Sequence, residues 1–322
     1  MKIKLGIIMD PISSINIKKD SSFSILLEAQ KRKYTIYYME ISDLYLRNNQ
    51  PFSKTKLLYL KNNPKRWYSF KKSNDILLLN LDIILMRKDP PINDQYIYIT
   101  YILEQAEHQG VLVINKPQSL RDFNEKLFTI WFPEFIPCTL ITNDMSKIYN
   151  FLHQHKDIII KPLNGMGGLS IFRVKKHDSN TMVIIETMTN HGKKLCIAQK
   201  YLTDIQHGDK RILIIDGKPF PWCLARIPRT GENRGNLAAG GTGKVQKLTS
   251  YDWNIANSIA NVLKRKGLCF VGLDIIGTKL TEINITSPTC IQEIEFKCKI
   301  SISNIILNAI ENNLISRNVL NN

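Results

Sequence analysis

This sequence has no apolar run long enough to cross a membrane, no Cys-x-x-Cys pair and comparatively few acids. Its longest apolar stretch, Ile76 to Met86, is interrupted by Asn80 and Asp82. That falls well short of the ~20 residues a spanning helix needs, so it reads as buried sheet or helix. The run before Asp10 is too brief for a secretory signal. The six cysteines then read as reduced thiols of a cytoplasmic protein. Six histidines are scattered, and His153 and His155 face apart on an expected helix. Neither a zinc site nor a histidine-activated nucleophile is indicated. No Gly-x-Gly-x-x-Gly follows the first strand and no Gly-Lys-Ser/Thr closes the later glycine turn. The dinucleotide fingerprint and the Walker loop are therefore excluded.

Acids number 28 against 44 Lys and Arg, a formal charge of +16. Such an excess favours nucleic acid, acidic surfaces or phosphorylated ligands. Yet Lys, Asn and Ile crowd residues 56–63 and 312–322, and no basic stripe is interleaved with aromatics. Compositional drift is the better cause, and neither a nucleic-acid nor a membrane partner is expected. What is present is a chain of 322 residues, 43% hydrophobic, the make-up of a globular protein of two or three domains.

Ile3 to Met9 reads as a strand, Asp20-Ser21-Ser22 as a helix start and Thr35 to Met39 as the next strand. This order opens an open α/β sheet, whose ligands gather outside the carboxyl ends of strands. Asp10 and Asn16 lie at one such end; Arg87 lies at another, after the strand Leu81 to Met86. Residues 54–73 read as irregular, anchored by Trp67, Tyr68 and Phe70. Asn93 or Asp94 caps a helix to Gln109, Val111 to Ile114 is a strand, Asn115-Lys116-Pro117 is a boundary, and Ser119 to Trp131 is helical.

Next comes a strand through Lys161-Pro162 into Gly165-Met166-Gly167-Gly168, then a strand from Ile171 to Val174. Glycines there permit positive φ and let backbone N–H groups close over phosphate, with Lys161 as a point charge. A tight turn with an incidental lysine competes with that reading. Cys196 to Tyr201 is a strand, and Asp216-Gly217 joins two more as a hairpin. Arg226 to Gly243 holds five glycines and three arginines. A segment so long is a lid or a disordered loop, and the arginines favour closure over an anion. Thr249 or Ser250 caps a helix from Asp252 to Lys266, and from Glu293 the chain is helical, fraying at its end.

Between those helices, Val271 to Thr289 reads as a hairpin with the three-residue loop Gly277-Thr278-Lys279. Centred on Thr278, it sets Asp274 opposite Glu282 and Gly272 opposite Asn284. One side carries Asp274, Glu282 and Asn284; the other buries Leu273, Ile275, Ile283 and Ile285. Opposed carboxylates repel, a bound cation removes that cost, and an all-oxygen set suits Mg²⁺. For the hairpin alone, a solvated acidic face is the better reading.

Taken together, Met9-Asp10-Pro11-Ile12, Met86-Arg87-Lys88-Asp89-Pro90-Pro91, Lys161-Pro162, Gly165-Met166-Gly167-Gly168, Arg234-Gly235-Asn236-Leu237-Ala238-Ala239-Gly240-Gly241 and Thr281-Glu282-Ile283-Asn284 closely resemble the bacterial glutathione synthetase family. The resemblance runs in order and spacing from about Lys2 to the Ile310 region. It implies the ATP-grasp architecture, α/β and α+β. An amino-terminal open α/β domain (1–122) precedes a central α+β subdomain (123–202) and a carboxyl-terminal one (203–322) with the metal hairpin and a flexible loop (226–243). It further implies joining of γ-glutamylcysteine to glycine with ATP and Mg²⁺, Mn²⁺ being the alternative ion, through an acyl phosphate, in a homotetramer.

By motif match, Lys126 and Lys161 would hold phosphates under Gly165, Gly167 and Gly168, and Gln199, Lys200, Tyr201 and Leu202 would line the adenine edge. Asp274, Glu282 and Asn284 would ligate the metal. Arg211, Arg226 and Arg234 would neutralise substrate carboxylate and acyl phosphate. Asp10, Asn16, Arg87, Ser287, Pro288 and Thr289 would contact the other substrates. Thr242 and Gln292 stand where the family pattern implies arginine, each losing an anionic contact and leaving more to Arg234. The alternatives are another ATP-grasp ligase, joining D-alanines or adding glutamate to a protein tail, and an ATP-binding regulatory module without turnover.

Overall fold

The computed structural model describes residues 2–232, 234–237 and 240–320. Asn233 and the motif residues Ala238 and Ala239, all in the expected arginine-glycine loop, lie outside the described residues.

The amino-terminal sheet begins with β1 (Lys4–Ile8), α1 (Ser21–Lys31) and β2 (Thr35–Met39). These fall where the sequence places them because the signals are local. Asp20, for example, caps α1 by accepting from Phe23 N at 2.6 Å. Residues 54–73 depart from expectation. Instead of irregular chain they belong to a long antiparallel hairpin, β4 (Gln50–Leu60) and β5 (Tyr68–Leu77), preceded by β3 (Leu44–Arg47). β5 is an edge strand exposed along most of its length, so no apolar alternation marks it. Trp67 anchors its start by donating to Ile12 O at 2.9 Å. β6 (Ile83–Met86), α2 (Asp94–His108, capped by Asn93) and β7 (Leu112–Ile114) complete the layer. The order is β3-β4-β2-β1-β6-β7, with β2, β1, β6 and β7 parallel and β5 on β4.

The expected helix from Ser119 to Trp131 is broken. α3 (Pro117–Asp122) starts at its proline, and a 3₁₀ turn covers Leu127–Trp131. Between them, Asn124 Oδ1 accepts from Lys126 N and Leu127 N at 3.1 and 3.0 Å, a side-chain turn that competes with helix. The break leaves Glu125 and Lys126 free to reach the site.

The central sheet contains β8 (Thr139–Thr142), β9 (Asp157–Pro162), β10 (Phe172–Lys175) and β11 (Cys196–Lys200), antiparallel in the order β10-β9-β11-β8. α4 (Met145–His155) and α5 (Thr181–Thr189) supply Ile148, Leu152 and Ile185 to its core. The carboxyl-terminal sheet has the order β14-β13-β12-β15-β16, all antiparallel. Its strands are β12 (Asp209–Ile215), β13 (Lys218–Ile227), β14 (Thr242–Lys247), β15 (Phe270–Ile276) and β16 (Lys279–Asn284). β14 was not legible: Thr242 and Gly243, read as loop, pair with Ile227 and Arg226 in a short polar edge strand. α6 (Ser250–Arg265) carries the expected cap, Thr249, with Asp252 completing a capping box. The terminal helix is two, α7 (Ile291–Cys298) and α8 (Ile302–Leu320), and α8 returns to α1, where Arg32 pairs with Glu311 at 2.8 Å.

Asn115, at the expected boundary, is a buried clasp between first and last sheets. Its amide donates to Phe270 O and Ile285 O at 2.8 and 2.7 Å and accepts from Phe270 N at 3.0 Å. Asn115→Ala strands three backbone groups. It should lower unfolding free energy by about 2–3 kcal/mol, read as a lower urea midpoint; an unchanged midpoint would contradict the clasp.

Candidate active site

The hairpin β15–β16 turns on two residues, Gly277 and Thr278, because Ile276 pairs with Lys279. A bulge at Thr281 then adds the residue that the shorter turn omits, so Asp274 still faces Glu282 and Gly272 faces Asn284. On the next strand the same period continues. Arg211 stands opposite Asp274 on β12, and Asp209, two residues earlier, stands opposite Arg226 on β13. The result is one row of charge across four strands.

The opposition between Asp274 and Glu282 is relieved by the chain itself, where the sequence called for a cation. Arg211 grips Asp274 with Nε at 2.5 Å and a second nitrogen at 2.9 Å, and Arg226 adds another contact at 2.9 Å. Burial would raise Asp274, but Arg211 and then Arg226 overcome it and hold the carboxyl well below the usual carboxylate range. Glu282 is paired with Lys126 at 3.0 Å. Asp209 goes the other way: burial pushes it up to about 6 despite the Arg226 partner. Its Oδ1 is buried without a hydrogen-bond partner.

Lys126 Nζ also donates to Gly165 O at 2.9 Å, and Lys161 Nζ to Thr281 O at 3.3 Å, so both ammonium groups converge on the hairpin from the central sheet. Burial lowers Lys161 to about 8. Gly165, Gly167 and Gly168 all have positive φ, and a Cβ at Gly168 would meet Asn236 Oδ1 at 2.7 Å. Only glycine lets the arginine loop come that close. From that loop Arg234 donates to Gly168 O at 3.4 Å and pairs with Glu232 at 2.6 Å.

Two adjoining clefts result. The first, a cavity of about 110 Å³, lies between central and carboxyl-terminal sheets, with Lys126, Lys161, the glycine turn and residues 199–202 on its walls. The second, about 280 Å³, is lined by Arg211, Arg226, Asn284, Ser287 and Thr289. They share Met166, Gly167, Asn236 and Glu282.

Not every residue singled out by sequence lies there. Arg87 is buried behind the second cleft. It donates to Ser22 Oγ at 3.0 Å and Pro288 O at 2.9 Å, with its guanidinium 5.4 Å over Phe270. Asp10 pairs with Lys88 at 2.7 Å and Asn16 caps its own loop at Lys18 N, 3.1 Å away; neither lines a cleft. Ser287 donates to Asp89. Gln292 lines neither cleft and donates to Ile17 O and Asp20 O at 2.9 and 2.6 Å. Thr242 faces an outer groove on β14.

Sequence reasoning missed Asp209, although its spacing from Arg211 puts it on the same face. It also missed Glu125, whose Oε1 accepts from Ile285 N, Thr286 N and Thr286 Oγ1 at 2.8, 3.0 and 2.9 Å. No local signal marks a partner that far along the chain.

Among the described residues no group of three or more His, Cys, Asp or Glu is arranged to hold a metal. The hairpin instead offers two carboxylates and an amide. Asn284 spends its nitrogen on Gly272 O at 3.3 Å, which leaves its oxygen available to a cation. This hard-oxygen set fits Mg²⁺. No described helix is long and apolar enough to cross a membrane.

Two family models cover most of the chain. That of the prokaryotic glutathione synthetase N-terminal domain matches residues 3–121, and that of the ATP-grasp domain of the same family matches residues 125–299. The glutathione synthetase of Buchnera aphidicola subsp. Baizongia pistaciae is 67% identical over 318 residues, 98% of each chain. Among solved structures, D-cycloserine synthetase DcsG superposes with a TM-score of 0.65 at 13% identity over 97% of this chain and 99% of that one. The ATP-grasp ligase PsnB, complexed with minimal precursor, Mg and ADP, gives 0.60 at 14% identity over 97% of each. These likenesses establish the ATP-grasp fold.

Proposed function

Because the chain belongs to the prokaryotic glutathione synthetase family, we propose that its two clefts divide one ligation between them. The activity is that of the family: an ATP-dependent ligase joining γ-glutamylcysteine to glycine. The observation that carries the division of labour is the row Arg226, Asp209, Arg211, Asp274 and Glu282 at the junction of the clefts.

In this reading ATP occupies the first cleft. Gln199 to Leu202 edge the adenine, while Lys126, Lys161 and the glycine turn hold the phosphates. Asp274, Glu282 and Asn284 hold Mg²⁺, with Mn²⁺ as a substitute, which when bound offsets phosphate charge. The dipeptide lies in the second cleft. Its cysteinyl carboxylate oxygen bonds to the γ-phosphorus as the bond to the β-phosphate oxygen breaks, giving an acyl phosphate and ADP. Glycine, near Ser287 and Thr289, attacks the acyl carbon as neutral amine; the C–O bond breaks, phosphate leaves, and the nitrogen gives up a proton. Arg211 and Arg226 hold the anionic carboxylate and acyl phosphate in a water-poor site, where fixed charges act most strongly. The described part of the connection between β13 and β14, with Arg234 against the glycine turn, is the loop that keeps water from the acyl phosphate. Trypsin should cut this loop more slowly with MgATP and dipeptide than without; equal rates would refute closure.

Phosphate release with ATP, γ-glutamylcysteine and glycine tests the whole reading. Comparable release with paired D-alanines or with glutamate as acceptor would reassign the substrates. Light scattering tests the homotetramer, proposed from the resemblance alone, as is the cytoplasmic location.

Lys161 adds a pH test. With its pKa at about 8, it is charged below that pH and largely neutral at pH 9, and a bound phosphate raises the pKa again. ATP binding should therefore weaken as pH rises through 8, with proton uptake appearing above it. Calorimetry in buffers of different ionisation enthalpy reads the uptake. It should vanish in Lys161→Met, and uptake that persists there would exclude Lys161 as the phosphate ligand.

A further inference from the structure

β16 is the outermost strand of its sheet, yet its free edge is not open. Leu280 N donates to Phe135 O at 2.8 Å, and Ile283 N to the main-chain oxygen of Glu125 at 2.9 Å. Two residues on, past the end of the strand, Ile285 N meets the Glu125 side chain, with Oε1 at 2.8 Å. The same oxygen accepts from Thr286 N and Thr286 Oγ1 at 3.0 and 2.9 Å. Glu125 thus carries the edge pairing one step beyond β16, with a buried carboxylate in place of a further peptide group. The anchored residues Ile283 and Ile285 bracket Asn284. Holding both neighbours keeps the Asn284 side chain on the face that carries Glu282. Among the described residues that side chain makes one hydrogen bond, a long one to Gly272 O at 3.3 Å. The direction of its oxygen therefore depends on how firmly residues 283 and 285 are held.

We propose that Glu125 is a positioning residue for the cation site: by extending the edge of the sheet past β16 it fixes the direction in which the Asn284 oxygen is presented beside Asp274 and Glu282. The role rests on the metal assignment made above, and it belongs to a residue that acts on the ion only through a ligand. Partners of this kind orient metal ligands, and their removal weakens the ion without touching it. The loss they cause is bounded by what the ligand itself contributes, so removing the anchor costs no more than removing Asn284.

Mn²⁺ titrated into the chain with ADP present, free Mn²⁺ being read by electron paramagnetic resonance, tests this without turnover. Glu125→Ala should raise the Kd for Mn²⁺ about tenfold, the lower end of the scale on which partners of metal ligands act. Asn284→Ala should weaken binding at least as much. The double variant should bind little worse than Asn284→Ala alone, because an anchor has no effect once the ligand it aims is gone. Glu125→Gln keeps the length and one acceptor oxygen, and should recover most of the affinity. A parental Kd in Glu125→Ala would overturn the role, and so would losses from the two single variants that simply add. If circular dichroism shows that Glu125→Ala does not fold, Glu125→Asp, whose carboxylate falls one methylene short of its donors, takes its place in the same cycle. Asp274→Asn tests the metal assignment separately. Mn²⁺ held there as tightly as by the unaltered chain would remove that assignment, and the positioning role with it. Mn²⁺ lost there but unaffected by Glu125→Ala would remove the positioning role alone.

Discussion

Asp274→Asn is expected to lower phosphate release about 10³-fold, the scale on which a fixed charge in a water-poor site acts. Two losses combine. The proposed metal site gives up one of its two carboxylates, and Arg211 and Arg226 lose the anion that aligns them. Asparagine keeps the shape and one acceptor for Arg211, so the chain should still fold, as circular dichroism would register. Raising Mg²⁺ should recover only part of the rate, since the arginines stay misaligned. Glu282→Gln should be milder, because Glu282 is half-buried and has Lys126 as partner. A variant at position 274 that kept the parental rate would remove both the metal assignment and the argument from the charge row.

Arg226→Met should disable the enzyme and also destabilise it. Arg226 contacts both Asp209 and Asp274 in the buried row. Removing one member of a buried ion set leaves charge uncompensated, at about 3–5 kcal/mol. Asp274 still has Arg211; the Asp209 carboxylate has no other hydrogen-bond or ion-pair partner among the described residues. The sign follows from Asp209, whose carboxyl sits at about 6 even with Arg226 present, above its unfolded value. Its ionisation thus opposes folding: in the parent the penalty accrues between the unfolded value and about 6 and is constant above, whereas without Arg226 the folded value rises further and the penalty goes on growing above pH 6. The variant should lie nearest the parent at pH 5 and fall furthest behind at pH 8, as read by urea midpoints across that range. A pH-independent deficit would mean that Asp209 is not the charge left exposed.

Much of this arrangement is legible from residue order. The opposition of Asp274 and Glu282 follows from the two-residue period, although the turn and bulge that produce it differ from the simpler loop expected. Caps such as Asp20, Asn93 and Thr249 mark helix starts because their hydrogen bonds close within three residues. Polar edge strands are not legible: β5 and β14 bury too little to show a period. Nor are contacts made far along the chain, such as Glu125 with Thr286 or Arg87 with Pro288. Asp10, Asn16 and Arg87 lie where open sheets usually bind ligands, but their partners here are protein atoms, and Lys19 reaches the cleft instead. Only the packed structure decides which of several polar residues on one edge faces inward.

The break after α3 puts two neighbours into opposite partnerships. Glu125 fastens residues 285 and 286, while Lys126 holds both Gly165 O and Glu282. As long as Lys126 neutralises Glu282, that carboxylate is a poor ligand for a cation. A phosphate that draws the ammonium away uncovers it, so nucleotide and metal should bind with positive cooperativity. Thermodynamic reciprocity then requires each to tighten the other by the same factor, and Lys126→Met should bring that factor close to one.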